Sequence, residues 1–329
     1  MDYNFKTNFN FKETTILITG GAGFIGSNLA EYFVLNGAKL VRVLDNLSSG
    51  YMSNIKHLQE HTNFEFINGD ITNYNDCLNA TKNTDVVLHH AALGSVPRSI
   101  NDPIASNFAN VTGFLNMLHA CVQNKVTRFI YASSSSVYGD DKTMPKIETI
   151  TGELLSPYAV TKKTNELYAN VFYKTYGLQT IGLRYFNVFG PKQNINGPYA
   201  AVIPIFVTHL LKNESPTIFG DGTTTRDFTF IENVIQANVL AANTKENAAF
   251  GNIFNIAYGG TTALNTLFKL IAEELESTIK VTYAPERKGD IKDSFANINK
   301  AKSLLQFSPK VDIKVGLQKT VQYYKQQLS

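Results

Sequence analysis

Thr14-Thr15-Ile16-Leu17-Ile18-Thr19-Gly20-Gly21-Ala22-Gly23-Phe24-Ile25-Gly26 runs from a β-branched apolar strand through a glycine turn into the helix-length segment Phe24 to Gly37. Gly20 suits the tight turn and Gly23 lets backbone approach a pyrophosphate. Gly26 lets the helix lie on the strand while its N-terminus faces the phosphates. The next strand, Leu40 to Asp45, ends in an acid nineteen positions after Gly26, near the spacing at which a carboxylate meets adenosine ribose hydroxyls. Asp45 would repel a 2′-phosphate, so NAD is favoured over NADP. Each part alone could be a loop or a strand-end cap. The order strand, glycine turn, helix, strand, acid selects a dinucleotide site.

Outward from this unit the pattern repeats. Phe64 to Asp70, Asp85 to Ala92 and Arg128 to Ser134 are short apolar runs separated by helix-length segments, and Thr180 to Pro191 reads as a further buried strand. Such alternation predicts an α/β chain with a Rossmann-type doubly wound parallel sheet. After Pro191 the texture turns to Gly-, Pro- and Asn-rich loops with short helices such as Asn265 to Ser277. The expected division is a dinucleotide domain over 1–187, rejoined by about 232–262, and a smaller loop-rich substrate lobe over 188–231 and 263–329. Asp70, after the third strand, could bond the adenine amino group or close a turn.

Composition narrows the class. With 43% hydrophobic and 17% charged residues, the 329-residue chain is an ordinary globular one, and a net charge of +3 without basic runs argues against nucleic acid. Cys77 and Cys121 lack metal or disulfide spacing and are expected as buried thiols in a reducing cytoplasm. The six histidines, His89-His90 included, show no metal-ligand spacing and are expected in the core or in strands. The N-terminus has no signal-like apolar region and no run of about 18 apolar residues occurs, so neither export nor a membrane span is expected.

Ser156-Pro157-Tyr158-Ala159-Val160-Thr161-Lys162 combines a capping serine, a first-turn proline, and Tyr and Lys four apart on one helix face. A phenol of ordinary pKa near 10 is a poor base at neutral pH, but a neighbouring ammonium and a cationic nicotinamide both favour its phenolate. Such spacing alone is common helix decoration. Its weight comes from the serine cluster Ser133 to Ser136, which ends another strand at the sheet edge where α/β ligands bind.

TGGAGFIG, DNLSSG, GDI, HHAA, SSSSVYG, SPYAVTK and RYFNVFGP, in this order, resemble the extended short-chain dehydrogenase/reductase family over nearly the whole chain. Within it the chain is similar to UDP-sugar 4-epimerases, most of all bacterial ones acting on UDP-N-acetylglucosamine. The resemblance implies catalytic roles for Tyr158, Lys162 and Ser134, the serine five residues before Gly139. It implies NAD contacts at Gly20, Gly23, Phe24, Ile25, Gly26, Asp45, Asn46, Ser49, Gly50, Asp70, Ile71, Ala91, Ala92, Asn110, Tyr158, Lys162 and Tyr185. Substrate contacts are implied at Ser95, Ser134, Ser135, Tyr158, Asn187, Arg226, Arg287, Asp290 and Ser294. Two arginine forks suit a diphosphate. A homodimer through the helices Phe108 to Gln123 and Tyr158 to Tyr176 is also implied.

Family dehydratases and decarboxylases carry an acid just before the segment corresponding to Val137-Tyr138-Gly139. Here stands Ser134-Ser135-Ser136, which argues against eliminating water from the sugar. Ser294, four residues after Asp290, replaces a bulky tyrosine typical of strict glucose-type epimerases, and Gly94 to Ser99 resembles the N-acetyl-preferring group. An epimerase of the corresponding uronate or of UDP-glucose, and a non-catalytic NAD-binding regulator, remain the alternatives.

Overall fold

Alternate residues of the first strand serve two core layers. In the computed structural model, which describes residues 5, 7–195, 201–286 and 293–328, Ile16 and Ile18 of β1 (Thr15–Thr19) enter one layer and Leu17 the other. The strands β2 (Leu40–Asp45), β3 (Phe64–Asn68), β4 (Val86–His89) and β5 (Arg128–Ser134) behave alike, whereas β6 (Gln179–Tyr185) sends Ile181, Leu183 and Tyr185 into the first layer only. One layer is closed by α1 (Phe24–Leu35). On the opposite face lie α2 (Tyr74–Ala80), α5 (Gly113–Gln123) and α6 (Pro157–Tyr176), with the short α3 (Val96–Asn101) and α4 (Pro103–Asn107) between α2 and α5 in sequence.

Later come β7 (Val188–Phe189), α7 (Val202–Leu211), β8 (Thr217–Phe219), β9 (Thr225–Arg226), β10 (Thr229–Phe230), α8 (Ile231–Asn243), β11 (Asn252–Ile256), β12 (Thr262–Ala263), α9 (Leu264–Glu274), β13 (Thr282–Ala284), α10 (Asn299–Leu305) and α11 (Ile313–Leu328). The chain returns to the main sheet through α8, which packs against α1, and β11, which pairs with β6. The seven-stranded sheet has the order β11-β6-β5-β4-β1-β2-β3 and is parallel throughout. Its connection reverses between β1 and β4, which opens a crevice at their carboxyl ends. This is the doubly wound architecture expected above.

Two expectations need correction. The run Thr180 to Pro191 is not one strand: Asn187 adopts φ +35, a conformation asparagine tolerates better than most residues. Its Nδ2 donates to the Asp227 carbonyl at 3.2 Å and its carbonyl accepts from Thr229 N at 3.2 Å, so β7 leaves the sheet and pairs with β10. Nor are the histidines all internal. His89 is buried in β4 and His90 follows it, whereas His57, His61 and His119 are exposed and His209 is half-buried on α7, where the imidazole tips reach water.

The buried Asp227 fastens the later segments together. Its carboxylate accepts from the backbone N–H groups of Tyr258 at 3.1 Å, Gly259 at 3.2 Å and Ala296 at 3.3 Å. Burial pushes this carboxyl up to about 7, while those N–H groups act in the opposite direction. Both thiols are buried and free, as expected, and burial pushes Cys77 up to about 12. Among the described residues no helix is long and apolar enough to cross a membrane.

Candidate active site

The crevice at the β1/β4 reversal holds a cavity of about 630 Å³. At one end lies the glycine turn. Gly20 has φ +67, and a Cβ on Gly26 would stand 2.2 Å from the Gly20 carbonyl oxygen, so the turn and α1 can pack this closely only without side chains. Gly23 caps α1 and also lines the cavity, leaving the helix N-terminus open to an anion.

Asp45 stands at the end of β2, its carboxylate accepting from Ala22 N at 2.9 Å and Leu47 N at 2.8 Å. Each oxygen thus keeps a lone pair for a hydroxyl. Asn46 donates through Nδ2 to Asp70 Oδ2 at 2.7 Å, and Asp70 also accepts from Thr72 N and Oγ1. Desolvation raises the Asp70 carboxyl, but these donors outweigh it and hold the group below its ordinary range. Ser49, Gly50, Ile71, Ala91 and Ala92 complete this part of the wall, with Phe24 and Ile25.

At the other end α6 presents its first turns. Ser156 accepts from Ala159 N at 3.2 Å, Pro157 fixes the first helical position, and Gly177 at φ +73 ends the helix. Tyr158, Lys162, Ser134 and Tyr185 all line the cavity. Lys162 Nζ donates to the Ala132 carbonyl at 2.9 Å and sits 5.8 Å from the Tyr158 ring centroid.

The protein's own groups set the starting point for Tyr158. Desolvation holds the Tyr158 phenol above its ordinary range, with a hydrogen bond from Ser134 acting the other way. Lys162 itself is pushed down to about 8 by burial, against the pull of the Glu166 charge. The ammonium alone therefore does not make Tyr158 a base, and desolvation leaves it a phenol at neutral pH.

Several implied contacts stand elsewhere. Asn110 is a brace behind the wall, accepting from Leu93 N at 2.7 Å and donating to the Leu93 carbonyl and to Thr161 Oγ1, each at 3.2 Å. With both ends of its amide engaged, it is absent from the lining. Ser95, Ser135, Asn187, Arg226 and Ser294 also lie off this cavity. Ser95 caps α3, accepting from Arg98 N at 3.2 Å, and Ser294 N donates to the Thr225 carbonyl at 3.3 Å beside Arg226. Arg287 and Asp290 fall outside the described residues.

The structure adds wall residues that sequence reasoning missed. His90 borders the cavity, its Nε2 3.0 Å from the Tyr185 hydroxyl, which itself accepts from Asn238 Nδ2 at 2.8 Å. Burial pushes His90 down to about 3, so the ring is neutral, and in its Nδ1–H tautomer Nε2 accepts the proton of the tyrosine hydroxyl. Lys192 and Asn194 close the adenosine side: Lys192 Nζ bonds Glu31 and the Asn54 carbonyl, and Asn194 Nδ2 donates to the Tyr51 hydroxyl at 3.0 Å. The HHAA and GPKQN segments were the available signals.

A parallel sheet with a glycine turn at its switch point, an acid on the second strand and a Tyr-Lys-Ser group at the far end of one cavity defines a dinucleotide-dependent enzyme. Comparison with known proteins sharpens this. Residues 16–257 match the family described as "NAD dependent epimerase/dehydratase family". Over 313 residues the chain is 36% identical to a putative UDP-glucose 4-epimerase of Methanocaldococcus jannaschii, covering 94% of this chain and 98% of that one. Its structure is similar to that of a UDP-N-acetylglucosamine 4-epimerase from Methanobrevibacter ruminantium M1 in complex with UDP-N-acetylmuramic acid. There the TM-score is 0.91 at 40% identity, covering 96% of this chain and 99% of that one. A UDP-glucuronic acid 4-epimerase from Bacillus cereus, bound to UDP-glucuronic acid and NAD, gives a TM-score of 0.88 at 33% identity, with 95% and 100% covered. The chain belongs to the NAD-dependent epimerase/dehydratase family, in its UDP-sugar 4-epimerase group, with NAD as cofactor.

Proposed function

We propose that the chain interconverts UDP-N-acetylglucosamine and UDP-N-acetylgalactosamine by inverting C4 of the sugar. The observation that carries the chemistry is the meeting of Tyr158, Ser134 and Lys162 in the same cavity as the glycine turn and Asp45. When bound, NAD supplies a reversible hydride acceptor for C4 and a positive charge that favours Tyr158 as phenolate. Tyr158 takes the proton of the 4-hydroxyl, directly or through Ser134, and returns it to the re-reduced sugar. Lys162 holds the nicotinamide ribose. The segments 188–231 and 263–329 hold the UDP through Arg226 and Arg287, so that the 4-keto ring can turn over without leaving.

The preference for an acetamido sugar rests on the small Ser294, on Gly94 to Ser99 and on the 40% identity to a UDP-N-acetylglucosamine 4-epimerase. The purified protein, given UDP-N-acetylglucosamine, its uronate or UDP-glucose without added NAD, is expected to epimerise the first fastest. A faster rate on either of the others overturns the preference, and turnover of none overturns the reading. Tyr158→Phe should lower kcat roughly 10²–10⁴-fold while bound NAD is retained.

A homodimer fits the surface. Val160, Leu167 and Val171 are about half exposed along α6, and Ile100, Ile104 and Phe108 form a second apolar line on the adjoining helices. Two buried reduced thiols support action in the cytoplasm.

A further inference from the structure

Glu166 lies inside the protein, outside the cavity, and no step of the proposed reaction uses it. Its side chain and that of Arg184 are each 1% exposed. Arg184 donates to it twice, Nε to Oε1 at 2.7 Å and Nη2 to Oε2 at 2.9 Å, and Ser133 Oγ donates to Oε1 at 2.7 Å. Lys163 Nζ stands 3.6 Å from Oε2.

The register gives this cluster its meaning. Ser133 and Arg184 are cross-strand partners on β5 and β6, and the next pair along the same strands is Ser134 and Tyr185, which both face the cavity. On α6, Tyr158, Lys162 and Glu166 follow one another at four-residue steps along one ridge. Lys162 is tied to Ala132, one residue before Ser133. Three elements therefore converge on one carboxylate, each at one remove from a group that touches the reacting ligands.

We propose that Glu166 is a positioning residue, which locks α6 in register with β5 and β6 and so holds Tyr158 opposite Ser134 and Lys162 opposite the nicotinamide ribose. The inference rests on the roles proposed above for Tyr158, Ser134 and Lys162. Because both carboxylate oxygens are held by a planar guanidinium, sliding the helix by one turn would break two bonds at once. The negative charge also acts on Lys162. Beside that ammonium stand the Tyr158 ring on its own helix, and His89 at the end of β4 with His90 just beyond it, on both of which its charge acts. Tyr185 of β6 shares its cavity wall, while Tyr131 of β5 and Arg184 of β6 interact with Glu166. His89 and His90 are both held neutral by burial. Glu166 is the nearby anion that favours the charged lysine.

The test uses the full chain with its NAD and measures kcat and KM for the UDP-sugar from pH 6 to 10. Glu166→Gln is expected to retain NAD, keep KM within about twofold and lower kcat at least tenfold. The alkaline limb of kcat, where Lys162 loses its proton, should move to lower pH by about one unit. Should that variant fold poorly, the paired replacement Glu166→Leu with Arg184→Met leaves no buried charge unmatched. It is expected to show a smaller displacement of the limb in the same direction, because the more distant Arg184 charge lost with it acts the opposite way. Ser133→Ala keeps the ion pair, so it should lower kcat severalfold with the limb in place. A limb that stays put in both charge-removing variants, or a fall in kcat matched by loss of bound NAD, overturns the proposal. Full activity of Tyr158→Phe would instead overturn the reading beneath it, whatever Glu166→Gln does.

Discussion

Replacing Gly26 by alanine tests the link between the glycine turn and dinucleotide binding. The added Cβ would meet the Gly20 carbonyl oxygen at 2.2 Å, Gly21 Cα at 2.7 Å and the Gly20 carbonyl carbon at 2.9 Å. All three are backbone atoms, so no flexible side chain can move aside, and the turn must lift from α1 by about 1 Å to restore ordinary contact. Overpacking of this kind costs about 1–3 kcal/mol, or roughly 2–4 °C in melting temperature per kcal/mol for a large domain. The lifted turn also misplaces the N–H groups that face the pyrophosphate, so the stabilisation by NAD, about 2.7 kcal/mol at a hundredfold excess over Kd, should largely vanish. Differential scanning fluorimetry with and without NAD, together with the absorbance of cofactor carried through purification, measures both effects. Gly37→Ala is the control. Its Cβ would meet nothing within 4 Å at φ +75, so it incurs only the left-handed backbone penalty of about 1–2 kcal/mol and should keep the NAD response. A Gly26→Ala protein with the wild-type melting point and NAD content would refute the reasoning.

Three further outcomes follow from the geometry. Asp45→Asn removes the charge that repels a 2′-phosphate and one of two acceptors for Ala22 and Leu47. The NAD preference over NADP should fall at least roughly tenfold, about 1.4 kcal/mol, with a lower melting point; unchanged cofactor titrations would count against the ribose role. His90 and His89 are held neutral in the fold, His90 down to about 3, but take up protons in the unfolded chain below about pH 6.5. The His90 contribution to stability is therefore complete above that pH and is lost as pH falls towards 3, at about 1.4 kcal/mol per pH unit, and His89 acts in the same direction. His90→Gln should flatten urea midpoints measured between pH 4 and 6.5, and an unaltered slope would contradict the assignment. Leu167→Lys places a charge on the apolar line of α6 and is expected to give a monomer in analytical ultracentrifugation; an unchanged mass would locate any dimer contact elsewhere.

The parts legible in sequence were those governed by local rules. The glycine turn, Asp45 and the capped start of α6 each combine residue type with spacing, and the structure gathers Gly20, Asp45, Tyr158 and Lys162 around one cavity. What escaped depends on distant partners. Thr180 to Pro191 reads as one apolar run, and only the bonds that Asn187 makes to the Asp227 carbonyl and accepts from Thr229 N reveal the break there. Asn110 could be assigned to the wall but not to the brace behind it, because Leu93 and Thr161 arrive from other elements. His90 looked like a strand residue because its position one step beyond β4 is set by the sheet edge. The sign of the net effect on Tyr158 was likewise hidden, since desolvation is a property of the assembled site.

The grip of Asp227 leaves part of the sequence around it free to drift. It holds Tyr258, Gly259 and Ala296 by main-chain N–H groups alone, and every amino acid except proline offers the same handle. Side chains such as those of Tyr258 and neighbouring Ser294 can be exchanged without unfastening these loops, whereas Gly259 at φ +83 and the buried Ala296 are held to small residues. A scaffold clasped in this way can swap one sugar for another by changing a few loop residues, in keeping with TM-scores of 0.88–0.91 to enzymes named for glucuronic acid and N-acetylglucosamine substrates.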